Sequence, residues 1–402
     1  MRPFDGRRVL LGVTGGIASY KSAWLARLLG KAGAEVDVVL TASAEEFIGR
    51  VTFEALTGRA VHTSLFDAGR ALDHIKLARE ASAVVIAPAT ADFIARAAAG
   101  QAGDLLSAVL LATKSPVLMV PAMNDAMWAH RQTSDNVRHL REVLGYQILE
   151  PEEGVLAAGE GSGPGRMPEP ETILAHVGRV LEMDSLRGRR VLVTAGPTRE
   201  SIDPVRFISN RSSGKMGVAI AAAAWRRGAE VTLIAGPMSV SAPVGITTRD
   251  VETTEEMAAA VEDELPDAEA LIMAAAPADF RAEEPAASKI KKKSAPKAVA
   301  LTPTPDILVN TRKARAKNAV IVGFALETDD VVRGAREKLD AKALDLIVVN
   351  DAREPGAGFE VNTNRVTLIA RDGSEEVLPL LTKDEVADRI IDRVEKLLHE
   401  RS

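Results

Sequence analysis

Cysteine is absent from all 402 residues, which excludes a disulfide framework, a thiolate metal centre and a cysteine nucleophile. Aromatic residues make up only 3% of the chain, so alanine and the branched aliphatics must fill whatever cores it builds. Long apolar runs are missing too. No stretch approaches the roughly 18 residues that a spanning helix needs, and the alanine-rich segment 218–225 is much too short. The opening MRPFDGRR leads directly into VLLGVTGG without a signal-peptide pattern, so a soluble, cytoplasmic protein with no membrane partner is expected. Positive charge is not in excess either. The 50 basic and 56 acidic residues leave a net charge of −6, and no global field that would draw nucleic acid or an anionic surface. With 46% apolar and 26% charged residues the composition is ordinary for a globular chain, and its length predicts two α/β domains.

What is present is one supersecondary unit written twice. Arg8-Val9-Leu10-Leu11 runs into a glycine turn at 12–16, and Arg190-Val191-Leu192-Val193 runs into Thr194-Ala195-Gly196-Pro197. Each then passes through an alanine-rich helical pattern to Gly-Ala-Glu-Val, at 33–36 and 228–231, where glycine stops the helix and a strand begins. Nearly continuous apolar runs at 83–87, 116–120, 271–275, 319–324 and 346–349 fit parallel strands covered on both faces. The expected architecture is two doubly wound, Rossmann-like α/β domains with mainly parallel sheets, 1–185 and 186–402, with a helix at 171–183 before the junction. Segments 154–170, rich in glycine and proline, and 285–296, rich in lysine and proline, read as loops inside the domains.

In the first half, the turn Gly12-Val13-Thr14-Gly15-Gly16-Ile17-Ala18 is either a tight connection or a place where backbone amides meet a phosphate. The second strand ends Val39-Leu40-Thr41-Ala42-Ser43, with hydroxyls where a nicotinamide dinucleotide would call for an acid, which argues against a nicotinamide-dependent oxidoreductase. Pro121-Ala122-Met123-Asn124-Asp125-Ala126-Met127-Trp128 joins an amide donor to soft apolar residues, suiting a carboxylate and a flat ring, or simply a helix start with Met and Trp in a core. His74, one of six histidines, stands beside Asp73 and is either structural or an acid/base.

These stretches, with Pro88-Ala89-Thr90 and Gly163-Pro164-Gly165-Arg166-Met167-Pro168, together resemble the flavin-dependent cysteine decarboxylases. The likeness is to the N-terminal half of the bifunctional phosphopantothenoylcysteine decarboxylase/phosphopantothenate–cysteine ligases. The resemblance implies a flavodoxin-like fold with FMN held by Gly15, Gly16, Ile17, Thr41, Ser43, Pro88, Ala89 and Thr90, often in trimers whose neighbours complete the site. It implies that Met123 meets the substrate, that His74 positions or deprotonates it, and that Asn124 binds its carboxylate. Many members carry L-A-C-G in a flap, the cysteine being proposed as proton donor; here 156–159 read Leu-Ala-Ala-Gly, and Ala158 cannot donate. The alternative is therefore an active ligase whose first half is an FMN-binding oligomerisation module.

In the second half, Ser212-Ser213-Gly214-Lys215 departs from a Walker A loop and is either a polar helix cap or a phosphate cradle. Asp279 follows a strand end, where a metal or nucleobase is met, and Lys289-Ile290-Lys291-Lys292-Lys293 is either a solvated charge run or a partner for a triphosphate. With Thr304-Pro305-Asp306-Ile307, Gly323-Phe324 and Asn362-Thr363-Asn364, the segment resembles the ligase half of the same bifunctional enzymes over 186–402. That resemblance implies a CTP site at Ala275, Asp279, Lys289, Pro305, Asp306, Ile307, Leu308, Phe324, Lys338 and Lys342. Asp279 would also meet Mg²⁺, Lys289 would be catalytic, and Asn210 would act on an acyl-cytidylate. The substrates implied are 4'-phosphopantothenate, L-cysteine and CTP, with phosphopantothenoylcysteine passed on for decarboxylation. The assembly implied is a homo-oligomer, trimeric through one half, dimeric through the other and dodecameric as a whole.

Overall fold

Strand Arg8–Val13 is buried in all but its first residue, and the helix that follows, Ser19–Ala32, turns Leu25, Ala26, Leu29 and Ala32 inward at three- and four-residue intervals. Gly33, in the left-handed region at φ 104°, closes that helix by donating its N–H to the carbonyls of Leu29 and Gly30, and strand Glu35–Leu40 begins two residues later. The computed structural model describes residues 3–66, 72–155, 161–182, 184–291, 298–327, 331–351 and 361–401. The chain divides into two compact units, Met1–Met183 and Asp184–Ser402.

The first unit holds a five-stranded parallel sheet in the order Glu35–Leu40, Arg8–Val13, Ala83–Ala89, Val117–Pro121, Gln147–Ile148. This 2-1-3-4-5 order is flavodoxin-like, and its switch point lies between the first and third strands. Helices cover both faces, with Val9, Leu11, Val85 and Leu118 in one core and Leu10, Ile86 and Met119 in the other. Segment 154–170, expected as a loop, instead contains most of an antiparallel hairpin, Glu152–Val155 with Ser162–Arg166, followed by helix Pro170–Leu181. Its glycines and prolines fit there because an exposed hairpin needs neither buried side chains nor every ladder hydrogen bond.

The second unit is built on eight strands, in the order Thr247–Asp250, Glu230–Ala235, Arg190–Ala195, Ala270–Met273, Val320–Glu327, Leu346–Asp351, Val366–Ala370 and Glu375–Val377. The first six are parallel and the last two antiparallel. Their order in the chain is 3-2-1-4-5-6 across the parallel part, the doubly wound dinucleotide-fold order. Helices Lys215–Arg226 and Lys383–Glu400 pack on each other on one face, while Met257, Ile307, Leu308, Ala335 and Leu339 cover the other. The residues between strand Arg190–Ala195 and helix Lys215–Arg226 form a two-stranded ribbon, Arg199–Ser201 with Phe207–Ser209, and a second ribbon pairs Phe280–Ala282 with Leu301–Pro303. Among the described residues no helix is long and apolar enough to cross a membrane.

One ion cluster ties the last helix of the second unit to its sheet-covering partner. Asp388 accepts from Arg226 Nη2 at 2.8 Å and lies 3.5 Å from Arg227 Nη2, all three side chains being less than a tenth exposed. Removing a partner from a buried ion pair strands the opposite charge and costs about 3 kcal/mol or more. Asp388→Ala should therefore lower the denaturant midpoint of the second unit and leave the transition of the first unmoved.

Candidate functional site

At the switch point of the first sheet three segments meet. Thr14 Oγ1 donates to Pro88 O at 2.8 Å and accepts from Thr90 N at 3.0 Å, joining the glycine turn to the end of strand Ala83–Ala89. Pro88 and Ala89 thus belong to the strand, and only Thr90 lies beyond it, capping helix Ala91–Ala98. On the other side Gly15 touches Ser43: a β-carbon there would stand 2.4 Å from Ser43 Cβ and 2.7 Å from its carbonyl oxygen. Thr41 caps the short helix Ala42–Glu45, whereas helix Ser19–Ala32 starts at Ala18 without a side-chain cap. Gly15, Gly16, Ile17, Thr41, Ser43 and Thr90 are thereby gathered around an uncapped helix N-terminus, a donor set suited to a phosphate. The fit to FMN is that of a backbone cradle, with Ile17 exposed beside it as an apolar flank.

Asn124 caps the helical turn Asp125–Trp128, its Oδ1 accepting from Ala126 N at 2.9 Å, which leaves Nδ2 as the group it can offer a carboxylate. Met123 is held by the hairpin, its N–H donating to Gly165 O at 3.1 Å, and a β-carbon on Gly165 would meet Met123 O at 2.2 Å. His74 lies in helix Asp73–Glu80, with a buried Nδ1 that meets no hydrogen-bond partner among the described residues. Among the described residues no hydrogen bond joins it to Asn124 or to the glycine turn. Ala158 lies outside the described residues.

The second unit carries a cavity of about 620 Å³ across the carboxyl ends of its strands. Asn210, Ala275, Asp279, Pro305, Asp306, Ile307, Leu308, Phe324, Lys338 and Lys342 line it, so the sequence-predicted residues come together here with one exception. Lys289 is exposed and outside the lining. The loop after strand Ala270–Met273 is pinned to the first strand and its turn: Ala275 N donates to Thr194 Oγ1 at 3.1 Å, Ala276 N to Gly196 O at 2.9 Å and Ala278 N to Thr198 Oγ1 at 2.9 Å. Asn210 closes over that loop, its Nδ2 donating to Ala276 O at 3.2 Å and Pro277 O at 2.8 Å, so Oδ1 is what it presents to a ligand. Asp306 caps helix Ile307–Asn310 through Oδ1 and meets Lys342 Nζ through Oδ2 at 2.9 Å. Among the described residues no group of three or more His, Asp or Glu side chains could by itself hold a metal ion.

Sequence reasoning missed Lys383 and gave Lys215 no settled role, although both line this cavity. Each is the first residue of a helix, where the macrodipole disfavours a cation, and both flank Asn362: Lys215 Nζ donates to its Oδ1 at 2.8 Å and Lys383 N to its carbonyl at 3.0 Å. The signal was available in Thr382-Lys383-Asp384-Glu385, a capping box that puts a lysine at the helix start.

Two predictions follow from this geometry. Gly15→Ala should abolish bound flavin absorbance near 450 nm, roughly the usual flavin band, because the cradle must open to admit the methyl group. Burial, helped by the nearby Lys215, pushes the Lys383 ammonium down to about 8. An anion favours the charged amine, so affinity is full below that pH and falls as pH rises through it. Pyrophosphate binding followed by calorimetry should weaken above pH 8 with proton uptake, and Lys383→Met should remove both effects.

Two family models match the chain. The flavoprotein model covers residues 2–182, and the model for the DNA/pantothenate metabolism flavoprotein C-terminal domain covers 186–398. The coenzyme A biosynthesis bifunctional protein CoaBC of Vibrio cholerae is 44% identical over 100% of both chains. Its Mycolicibacterium smegmatis counterpart is 46% identical over 98% of both. A crystal structure of the C-terminal domain of a protein of that name is 40% identical, covers 54% of this chain and 99% of that one, and superposes with a TM-score of 0.47. Full-length identity at this level, with both domain models in order, makes this chain a member of the CoaBC family of bifunctional coenzyme A biosynthesis proteins.

Proposed function

We propose that residues 186–402 join 4'-phosphopantothenate to L-cysteine using CTP, and that residues 1–185 decarboxylate the resulting phosphopantothenoylcysteine to 4'-phosphopantetheine. The observation that carries the ligase reading is one cavity lined by Lys215, Lys338, Lys342 and Lys383, with Asn210 closing over its alanine-rich loop. Four cations in one cleft suit a nucleoside triphosphate, whose charge they neutralise as pyrophosphate departs. Pro305, Asp306, Ile307, Leu308 and Phe324 offer a mixed backbone and apolar wall for a base and ribose, which supports CTP as the nucleotide. Asp279, exposed at the rim, can share Mg²⁺ with the phosphates, since that ion commonly takes one carboxylate and fills its shell with phosphate and water. Amide formation needs an activated carboxylate, because hydroxide leaves poorly. Attack of the substrate carboxylate on the α-phosphate gives an acyl-cytidylate, and the amine of cysteine then displaces CMP. Asn210 Oδ1, with its Nδ2 engaged elsewhere, accepts an N–H of that amine and aims it at the acyl carbon. Lys289 reaches the triphosphate from outside the lining.

For decarboxylation, Asn124 Nδ2 orients the cysteine carboxylate, and His74 positions or deprotonates the substrate. Gly15, Gly16, Ile17, Thr41, Ser43, Pro88, Ala89 and Thr90 would hold FMN, which would supply two-electron redox chemistry at the thiol so that the carboxylate gains an electron sink. The reading includes a homo-oligomer in which a neighbouring copy completes the first site. The assembly in this reading is trimeric through the first unit, dimeric through the second and dodecameric overall. Exposed Ile17, Tyr20, Val51, Phe66 and Leu72 provide apolar surface for such contacts. The enzyme is read as cytoplasmic.

One incubation tests these roles: the full chain with 4'-phosphopantothenate, cysteine, CTP, Mg²⁺ and FMN, with thiols resolved by mass spectrometry, should yield 4'-phosphopantetheine. Lys289→Gln should slow pyrophosphate release by about 10- to 100-fold. His74→Asn should leave pyrophosphate release intact while phosphopantothenoylcysteine accumulates. A wild-type rate of 4'-phosphopantetheine formation in either variant removes that residue from the mechanism.

A further inference from the structure

Asp203 is almost wholly buried, lies outside the cavity lining, and yet uses both carboxylate oxygens fully. Oδ1 serves the turn it sits in, accepting from Val205 N at 2.8 Å and Arg206 N at 2.9 Å. Oδ2 does something the turn does not need. It accepts from Ile290 N at 3.1 Å, 87 residues away, and from the Arg206 guanidinium, whose Nε is 3.0 Å distant. Arg206 Nη2 then donates to Ile290 O at 2.8 Å, so both backbone polar groups of Ile290 are held by one ion pair. Ile202, next to Asp203, accepts from Ala286 N at 2.9 Å through its carbonyl. The segment 286–290 is thus tied at both ends to the turn of ribbon Arg199–Ser201/Phe207–Ser209, and Lys289 lies between the ties with its side chain exposed. Arg206 and the three amides hold the Asp203 carboxyl well below the ordinary carboxylate range, so the clasp is charged at any working pH.

The same ribbon ends at Ser209, immediately before Asn210. Ser209 Oγ donates to Thr198 O at 2.7 Å, fixing that end to the turn beneath it. One rigid element therefore carries Asn210 at one end and the anchor of Lys289 at the other.

We propose that Asp203 is a positioning residue for the ligase reaction: by clasping Ile290 to the ribbon that bears Asn210, it sets where Lys289 stands relative to the reacting phosphate. The proposal rests on the role read above for Lys289. The neighbouring Cα atoms of 289 and 290 are about 3.8 Å apart, so the anchored residue limits the arc that the lysine side chain can sweep. Catalysis by a placed charge is steeply sensitive to such placement, a displacement of about 1 Å costing up to about 100-fold.

Asp203→Asn separates the two duties of this side chain. Its Oδ1 still accepts the turn amides, whereas its Nδ2 can accept neither from Ile290 N nor from Arg206. The experiment uses the full chain with CTP, Mg²⁺ and 4'-phosphopantothenate, and compares Asp203→Asn, Lys289→Gln and the double variant in single-turnover pyrophosphate release. The denaturant midpoint of the second unit, which holds both residues, serves as the control for folding. Asp203→Asn should slow pyrophosphate release about tenfold or more, speed amide hydrogen exchange at Ile290, and add nothing to Lys289→Gln. Multiplicative losses in the double variant would overturn the proposal, because Asp203 would then act independently of Lys289. Unchanged exchange at Ile290 would overturn the clasp itself. A wild-type rate for Lys289→Gln alone would overturn the reading of Lys289, and is distinguishable because Ile290 exchange still responds to Asp203→Asn.

Discussion

At the carboxyl end of each sheet the chain passes itself so closely that a β-carbon has no room, and both sites are built on that contact. In the first unit Gly15 lies against Ser43. In the second, a β-carbon on Gly217 would be 2.5 Å from that of Ala195, and one on Gly236 would be 1.9 Å from Pro197 O. The close approach lets a helix start directly over a strand end, so that its amides and its positive pole face the ligand rather than solvent. A chain with so few aromatics is suited to this arrangement. Ala219, Ile220, Ala221, Ala223 and Ala224 of helix Lys215–Arg226 are all buried, and the helix can lie near the sheet because its inner surface is mostly methyl groups.

Electrostatics then works against the fold locally. A lysine at the first position of a helix sits at the wrong pole of the dipole, and the second unit tolerates two of them side by side. The helix that starts with Lys383 is anchored instead by its buried apolar face, formed by Val386, Ile390, Ile391 and Val394. Local conflicts of this kind are characteristic of ligand sites, where the missing counter-charge arrives with the substrate.

Much of the architecture was legible because its signals are local. Continuous apolar runs marked the parallel strands to within about one to three residues, and Gly33 and Gly228 marked the ends of the two equivalent helices. Most residues expected at the second candidate site converge on one cavity, and Ala275, Asp279 and Asp306 were legible because they follow a strand end or cap a helix, where doubly wound folds gather their ligands. What failed to show in the sequence depends on contacts between distant segments. Nothing around Ser162–Arg166 announces a hairpin, because its partner strand, not its own composition, makes it one. The capping box marks Lys383 as a helix start, but its place in the cavity shows only once Asn362 and Lys215 are brought beside it.

Helix Lys383–Glu400 is at once a wall of the second core and a wall of the cavity, and it is the last described element in chain order. During synthesis, the parallel sheet of the first unit is complete once strand Gln147–Ile148 has emerged. The ligase cavity, by contrast, waits for more than two hundred further residues, on the order of tens of seconds at ribosomal speed. Once made, Arg226 waits for Asp388, 162 residues further on, and until then the apolar face of its helix is uncovered. The two units of one polypeptide therefore mature at different times, and a chain cut short before residue 383 would keep the first sheet while lacking the wall that closes the second cavity.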